Sequence, residues 1–103
     1  MDIVEKNTAK IKSLCKKYKV SKLYVFGSVI SSHFTKESDI DFLVMFDNVG
    51  LQDYADNYFD FKFSLQDLFN RKIDLIEEKA IKNPYFKRSV DNSKRLILWS
   101  GVS

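Results

Sequence analysis

Three aspartates carry most of the chemistry this sequence can do. Asp39 and Asp41 stand two residues apart in Ser-Asp-Ile-Asp-Phe-Leu-Val, and Asp74 stands inside Ile-Asp-Leu-Ile. On a strand, residues two apart share a face and lie about 6.6 Å apart along the chain. Ile40, Phe42 and Val44 then point the other way and can anchor the strand in a core. Two carboxylates held so close repel unless a cation sits between them. Oxygen donors of this kind suit Mg²⁺ or Mn²⁺. Strands disfavour Asp, and an acid within an apolar run is costly unless it is hydrogen-bonded or bound to metal. Three carboxylates converging from adjacent strands would hold two divalent ions. Two ions about 3.5–4 Å apart can clamp the attacking and leaving oxygens of a phosphoryl displacement.

Gly27-Ser28 supplies a second half to such a site. A glycine at a strand end lets backbone approach a ligand closely. A helix N-terminus after it offers free N–H groups and the positive end of a dipole to phosphate, and the Ser28 hydroxyl can donate to a phosphate oxygen. Alone, Gly-Ser is common in turns and Asp-x-Asp is common at strand ends. Ten residues between Ser28 and Asp39, plus a third acid within a strand, give the short motifs the context they need.

The elements that must position these residues follow from periodicity. Asp2 to Tyr18 reads as one amphipathic helix, with Val4, Thr8, Ile11, Leu14, Cys15 and Tyr18 on its apolar stripe. Cys15 is therefore expected to be a core thiol. Leu23–Phe26 and Ile40–Phe46 read as buried strands, and residues 28–34 as a short helix or turn. Asp53–Phe69 is the longest helix, with Tyr54, Tyr58, Phe61, Leu65 and Leu68 on one face. Phe59 and Phe63 fall about 100° or more from that stripe. They are either covered by another element or exposed as a contact patch; cover is the expectation, because large exposed apolar patches are uncommon. Ile73–Ile76 reads as a third strand. Asn83-Pro84 starts a helix, with Asn as N-cap and Pro first, running to about Asp91. Leu96–Trp99 fits either a helical continuation or a last strand.

Composition bounds the class. The chain has 103 residues, 45% hydrophobic and 30% charged, which is one small domain spanning 1–103. One cysteine and one histidine, His33, exclude a disulfide framework and a multi-cysteine zinc cage. No apolar run approaches a membrane span, and the N-terminus has no apolar signal core, so a cytoplasmic location is expected. The net charge of +3 hides an asymmetry: residues 1–22 carry seven lysines against two acids, while residues 37–78 carry eleven acids against three bases. An acidic middle between basic ends fits a metal site flanked by anion-binding surface, although most such charges belong to solvated helix faces. Lys10, Lys12, Lys16, Lys17, Lys19 and Lys22 could neutralise nucleic-acid phosphates, but no aromatic-interleaved basic stripe supports direct nucleic-acid binding.

The segment GSVISSHFTKESDIDFLV resembles the signature of the DNA-polymerase-β-like nucleotidyltransferase superfamily. The chain is most similar in plan to the minimal nucleotidyltransferases, the MNT type found beside HEPN-domain proteins. KIDLI with its Asp and IKNPYFKRSV also fit, so the resemblance covers nearly the whole chain. It implies an α/β (α+β) palm fold, a small mixed sheet packed with helices. It implies that Gly27 and Ser28 hold a nucleoside triphosphate, that Asp39 and Asp41 bind two Mg²⁺ ions (or Mn²⁺), and that Asp74 binds the catalytic ion and helps deprotonate the acceptor. The acceptor would attack the α-phosphate of ATP in line and release pyrophosphate. Members paired with HEPN toxins act as antitoxins that move AMP to a toxin tyrosine; a catalytically weak antitoxin that neutralises its partner by binding is the alternative. One departure stands out. Many members have Arg-Ala-Arg-Gly after Gly-Ser, whereas this chain has Val29-Ile30-Ser31-Ser32, leaving His33 and Lys36 as the nearest residues that could supply positive charge. A chain this short offers little beyond a metal and phosphate site, so a partner, as a homo- or hetero-oligomer, is expected to complete the pocket or present the acceptor.

Overall fold

The computed structural model describes residues 2–26, 39–47 and 49–99. The elements run α1 (Asp2–Lys6), α2 (Thr8–Lys17), β1 (Val20–Phe26), β2 (Ile40–Phe46), α3 (Leu51–Phe69), β3 (Ile73–Glu77), a 3-10 turn (Glu78–Ala80), α4 (Pro84–Ser93) and β4 (Arg95–Trp99). The four strands form one mixed sheet in the order β3-β2-β1-β4. This is the expected α+β architecture, and the last segment settles as a strand.

The single N-terminal helix expected from periodicity is in fact two. Asn7 breaks it, with its side-chain amide donating to the Ile3 carbonyl at 2.7 Å, while the Thr8 hydroxyl turns back to the Val4 and Glu5 carbonyls. Polar side chains that bond the preceding turn compete with the helical ladder and end it. The apolar stripe survives the break: Val4, Ile11 and Cys15 are buried, with Leu14 and Tyr18 packed beside them. Burial pushes the Cys15 thiol up to about 12, as suits a core residue.

Strand β1 pairs antiparallel with both β2 and β4, whereas β2 pairs parallel with β3. Parallel strands need a long crossover, and α3 is that crossover. Ile40, Phe42 and Val44 of β2 join Leu23, Val25, Ile73 and Leu75 in a core under α1, α2 and α3. Phe46 is the hinge of that packing, edge-on to Tyr54, Tyr58 and Phe61 at 5.7, 6.4 and 6.0 Å between ring centroids. Such aromatic pairs add about 0.5–1.5 kcal/mol each beyond the area they bury. Asn57 fastens α3 to the end of α2, donating to the Tyr18 carbonyl at 2.8 Å. Asn70, left-handed at φ 53°, closes α3, a conformation Asn tolerates at helix ends.

The opposite face of the sheet is covered by α4. Phe26, Leu43 and Val90 form a second cluster there, with Tyr24, Ile76 and Ile81 around it. The Asn83 side chain caps α4 as expected, accepting from the Tyr85 and Phe86 N–H groups at 2.9 and 3.3 Å. Phe59 and Phe63 are not covered. They are 47% and 52% exposed, with their rings stacked at 6.1 Å. No element reaches across that side of α3 in the described residues. Among them, no helix is long and apolar enough to cross a membrane.

Candidate active site

The sheet register brings two of the aspartates side by side. Because β2 and β3 run in the same direction with Ile40 opposite Ile73, Asp41 falls opposite Asp74. Antiparallel pairing of β1 sets Phe26, its last residue, opposite Asp41 on the other flank. Alternation turns Ile40, Phe42, Ile73 and Leu75 into the helix-covered core and leaves Asp41 and Asp74 on the α4 face, beyond the Phe26–Leu43–Val90 cluster. Asp39 stands immediately before β2, and the Ile40 N–H between the two acids donates to the Lys72 carbonyl at 3.2 Å. That bond pins the mouth of β2 to the mouth of β3.

Asp41 feels the other two carboxylates. Asp41 is half-buried, and its pKa is pushed from 3.8 up to about 6, by burial first, then by the charges of Asp74 and Asp39. The burial cost thus falls on Asp41. Asp74, which the apolar run around it suggested would be enclosed, is exposed, because β3 is the sheet's edge strand and its acid-bearing face is open there. Lys72 reaches Asp39, Nζ to Oδ2 at 3.9 Å. Behind the site, the Tyr58 hydroxyl donates to the Leu75 carbonyl, which satisfies a backbone acceptor on the edge strand, a place where unpaired groups are otherwise a liability. Burial and then the charge of Asp74 raise the Tyr58 phenol's pKa.

Among the described residues, no three His, Cys, Asp or Glu side chains stand together as a ready cage for a metal ion. The donor chemistry nevertheless suits a hard divalent cation: all three side chains offer oxygens, and burial with the neighbouring acids makes ionised Asp41 costly in a way a cation would relieve. Gly27 and Ser28, with Val29–Ser32, His33 and Lys36, lie outside the described residues. A groove of about 410 Å³ lies between α2 and α3, lined by Lys10, Ser13, Leu14, Ser64, Asp67 and Leu68; it holds none of the three aspartates. Sequence reasoning missed Lys72 and Tyr58. Lys72 stands two residues before Asp74 in the sequence, a proximity that could have found it, while only the tertiary fold sets Tyr58 behind that strand.

Comparison with known proteins places this arrangement. The family described as Polymerase beta, Nucleotidyltransferase matches residues 9–100. Two Methanocaldococcus jannaschii proteins, each named "Putative protein adenylyltransferase", are 41% and 39% identical to this chain. The first aligns over 87% of this chain and 86% of its own length, the second over 78% and 79%. The fold is that of a solved structure described as a "putative minimal nucleotidyltransferase" (TM-score 0.75, 22% identity, 91% of this chain and 92% of that one). It is also similar to a chain of a toxin–antitoxin structure with AMP-PNP (TM-score 0.70, 19% identity, 92% and 75%). A third match is to a complex of tri-AMPylated Shewanella oneidensis HEPN toxin with MNT antitoxin (TM-score 0.64, 18% identity, 92% and 71%). With Asp41 and Asp74 side by side on strands, Asp39 at the mouth of the sheet and a family match over almost its full length, this chain belongs to the polymerase-β-type nucleotidyltransferases.

Proposed function

We propose that this nucleotidyltransferase moves AMP from ATP to a hydroxyl of a partner protein, a tyrosine of a HEPN-domain toxin, with release of pyrophosphate. The observation that carries the reading is the register that sets Asp41 beside Asp74, where burial first, and then the charges of Asp74 and Asp39, oppose ionisation of Asp41. Asp39, Asp41 and Asp74 would hold two Mg²⁺ ions, or Mn²⁺. Bound there, the ions supply fixed positive charge where negative charge develops at the phosphate. The chain's own residues do the rest. Ile40 and Phe42, anchored in the core, fix the strand from which Asp41 projects. Asp74, on the open edge, can approach an acceptor hydroxyl brought by another protein and take its proton. Gly27 and Ser28 are assigned to the triphosphate on sequence grounds. Support for a protein acceptor comes from the names of the relatives, and support for a HEPN toxin from the complexes whose antitoxin chains share the fold.

The test is transfer of label from [α-³²P]ATP to the product of the adjacent gene, with Mg²⁺. Label on that protein, lost with EDTA and lost in Asp41→Asn, is the expected result. No label on either protein would sink the proposal. Neutralisation by binding alone is the second reading, favoured by the stacked, exposed Phe59 and Phe63. Full rescue from toxicity by an Asp39→Asn/Asp41→Asn double variant would select it.

A further inference from the structure

We propose that Lys72 is a substrate-phosphate ligand of this site, drawn to Asp39 in the free protein and exchanged onto the nucleotide's phosphates when cations neutralise the acids. This inference rests on the nucleotidyl-transfer reading above. It starts from a shortage of charge. A nucleoside triphosphate adds its own negative charge to that of three carboxylates. The sequence places Val29-Ile30-Ser31-Ser32, with no cation, directly after Gly27-Ser28. A positive group must come from elsewhere if the phosphates are to be held by more than metal and backbone.

Lys72 is placed to be that group. Its carbonyl accepts from Ile40, the residue between the two acids, so its backbone is fixed at the mouth of the site. It stands immediately before β3, two residues before Asp74. Its ammonium group pairs with Asp39 of the site. That pair is loose: 3.9 Å long, with the lysine side chain 75% exposed and the Asp39 side chain 46% exposed. Exposed pairs of this length contribute about 0–1 kcal/mol, so little holds the ammonium group where it is. Lys94, by contrast, is committed. It pairs with Asp91 at 3.0 Å and lies over the Tyr24 ring at 4.4 Å. A lysine acts toward phosphate as a mobile point charge on a flexible stem, which is the behaviour this position permits.

Two ligands with opposite expected responses test the inference. Lys72→Gln should weaken binding of the non-transferable analogue α,β-methylene-ATP with Mg²⁺ by about ten- to hundredfold, the scale of one charge-assisted contact. The same variant should bind Mn²⁺ alone as well as the native protein or better, because the competing ammonium beside Asp39 is gone. Lys72→Arg should restore most of the nucleotide affinity. Calorimetry on the full chain reads all three. Unchanged nucleotide affinity in Lys72→Gln overturns the inference. So does a parallel loss of both ligands, which would mark Lys72 as structural only. If the native protein binds no nucleotide at all, the transferase reading fails first and takes this inference with it. Those outcomes are told apart by the native protein's own titration.

Discussion

Asp41→Asn should stabilise the free protein, and only above a particular pH. In the folded chain the Asp41 carboxyl titrates near 6 rather than 3.8, through burial and the charges of Asp74 and Asp39. The folded state therefore binds a proton more readily than the unfolded state between those two values. Stability falls as pH rises through that window, because the unfolded state gains more from ionisation. Below about pH 4 both states are protonated and the penalty vanishes; above about pH 6 it is complete. A displacement of that size corresponds to about 3 kcal/mol if nothing screens it. Asp41 is only half-buried, and solvent screening brings the working figure to about 1 kcal/mol. Asparagine has nearly the same shape and no charge, so the variant escapes the penalty. Its melting temperature in EDTA at pH 8 should exceed the native value by roughly 4–8 °C, and the two should converge toward pH 4. Urea titrations at both pH values measure the same difference as free energy. A variant less stable than the native protein at pH 8, or a gap that does not change with pH, would refute the reasoning, since burial and mutual repulsion would then not be what Asp41 suffers.

Further expectations follow from the same structure. Adding Mg²⁺ at pH 8 should raise the melting temperature of the native protein and leave Asp41→Asn unmoved in thermal shift, and Asp41→Asn should lower label transfer by about a hundredfold or more. Phe61→Ala removes a fully buried ring from the core under α3 and should cost about 3–5 kcal/mol in urea unfolding. Asn83→Ala removes two accepted N–H bonds at the start of α4 and should cost about 1 kcal/mol. Phe59→Ser/Phe63→Ser should leave stability within about 1 kcal/mol, because both rings are half-exposed, while weakening capture of the partner in a pull-down with the adjacent gene's product.

Local pattern made most of the fold legible. Ile40–Phe46 is an apolar run broken only by Asp41, and the strand has the expected ends. Asn83-Pro84 starts α4 because the Asn side chain and the missing proline N–H solve the same problem of orphan donors. The misses came from tertiary context. The break at Asn7 depends on side chains bonding backward into the preceding turn, which the apolar stripe running through it conceals. Cover over Phe59 and Phe63 was expected from the rarity of exposed apolar patches, but periodicity reports only that they face away from the main stripe. Arg95–Trp99 could not be assigned from its own residues, because pairing with β1 makes it a strand. At the site, residue types pointed to Asp39, Asp41 and Asp74, but not to which of them bears the cost of burial.

That cost depends on strand direction. Had β3 run antiparallel to β2, a register placing Ile73 beside Ile40 would have carried Asp74 away from Asp41 instead of opposite it. The parallel crossover through α3 places the second residue of each strand at one end of the sheet. The central strand β2 is flanked on both sides, so its acid is the more enclosed; β3 is the edge, so its acid is open to whatever approaches. The two carboxylates thus differ by position rather than type. Burial, and then the charges of Asp74 and Asp39, make ionised Asp41 costly, a cost an arriving cation would relieve. Asp74, on the edge strand, is exposed to solvent. An enclosed acid beside an exposed one is a lasting asymmetry of the site. In this chain it follows from where each strand sits in the sheet.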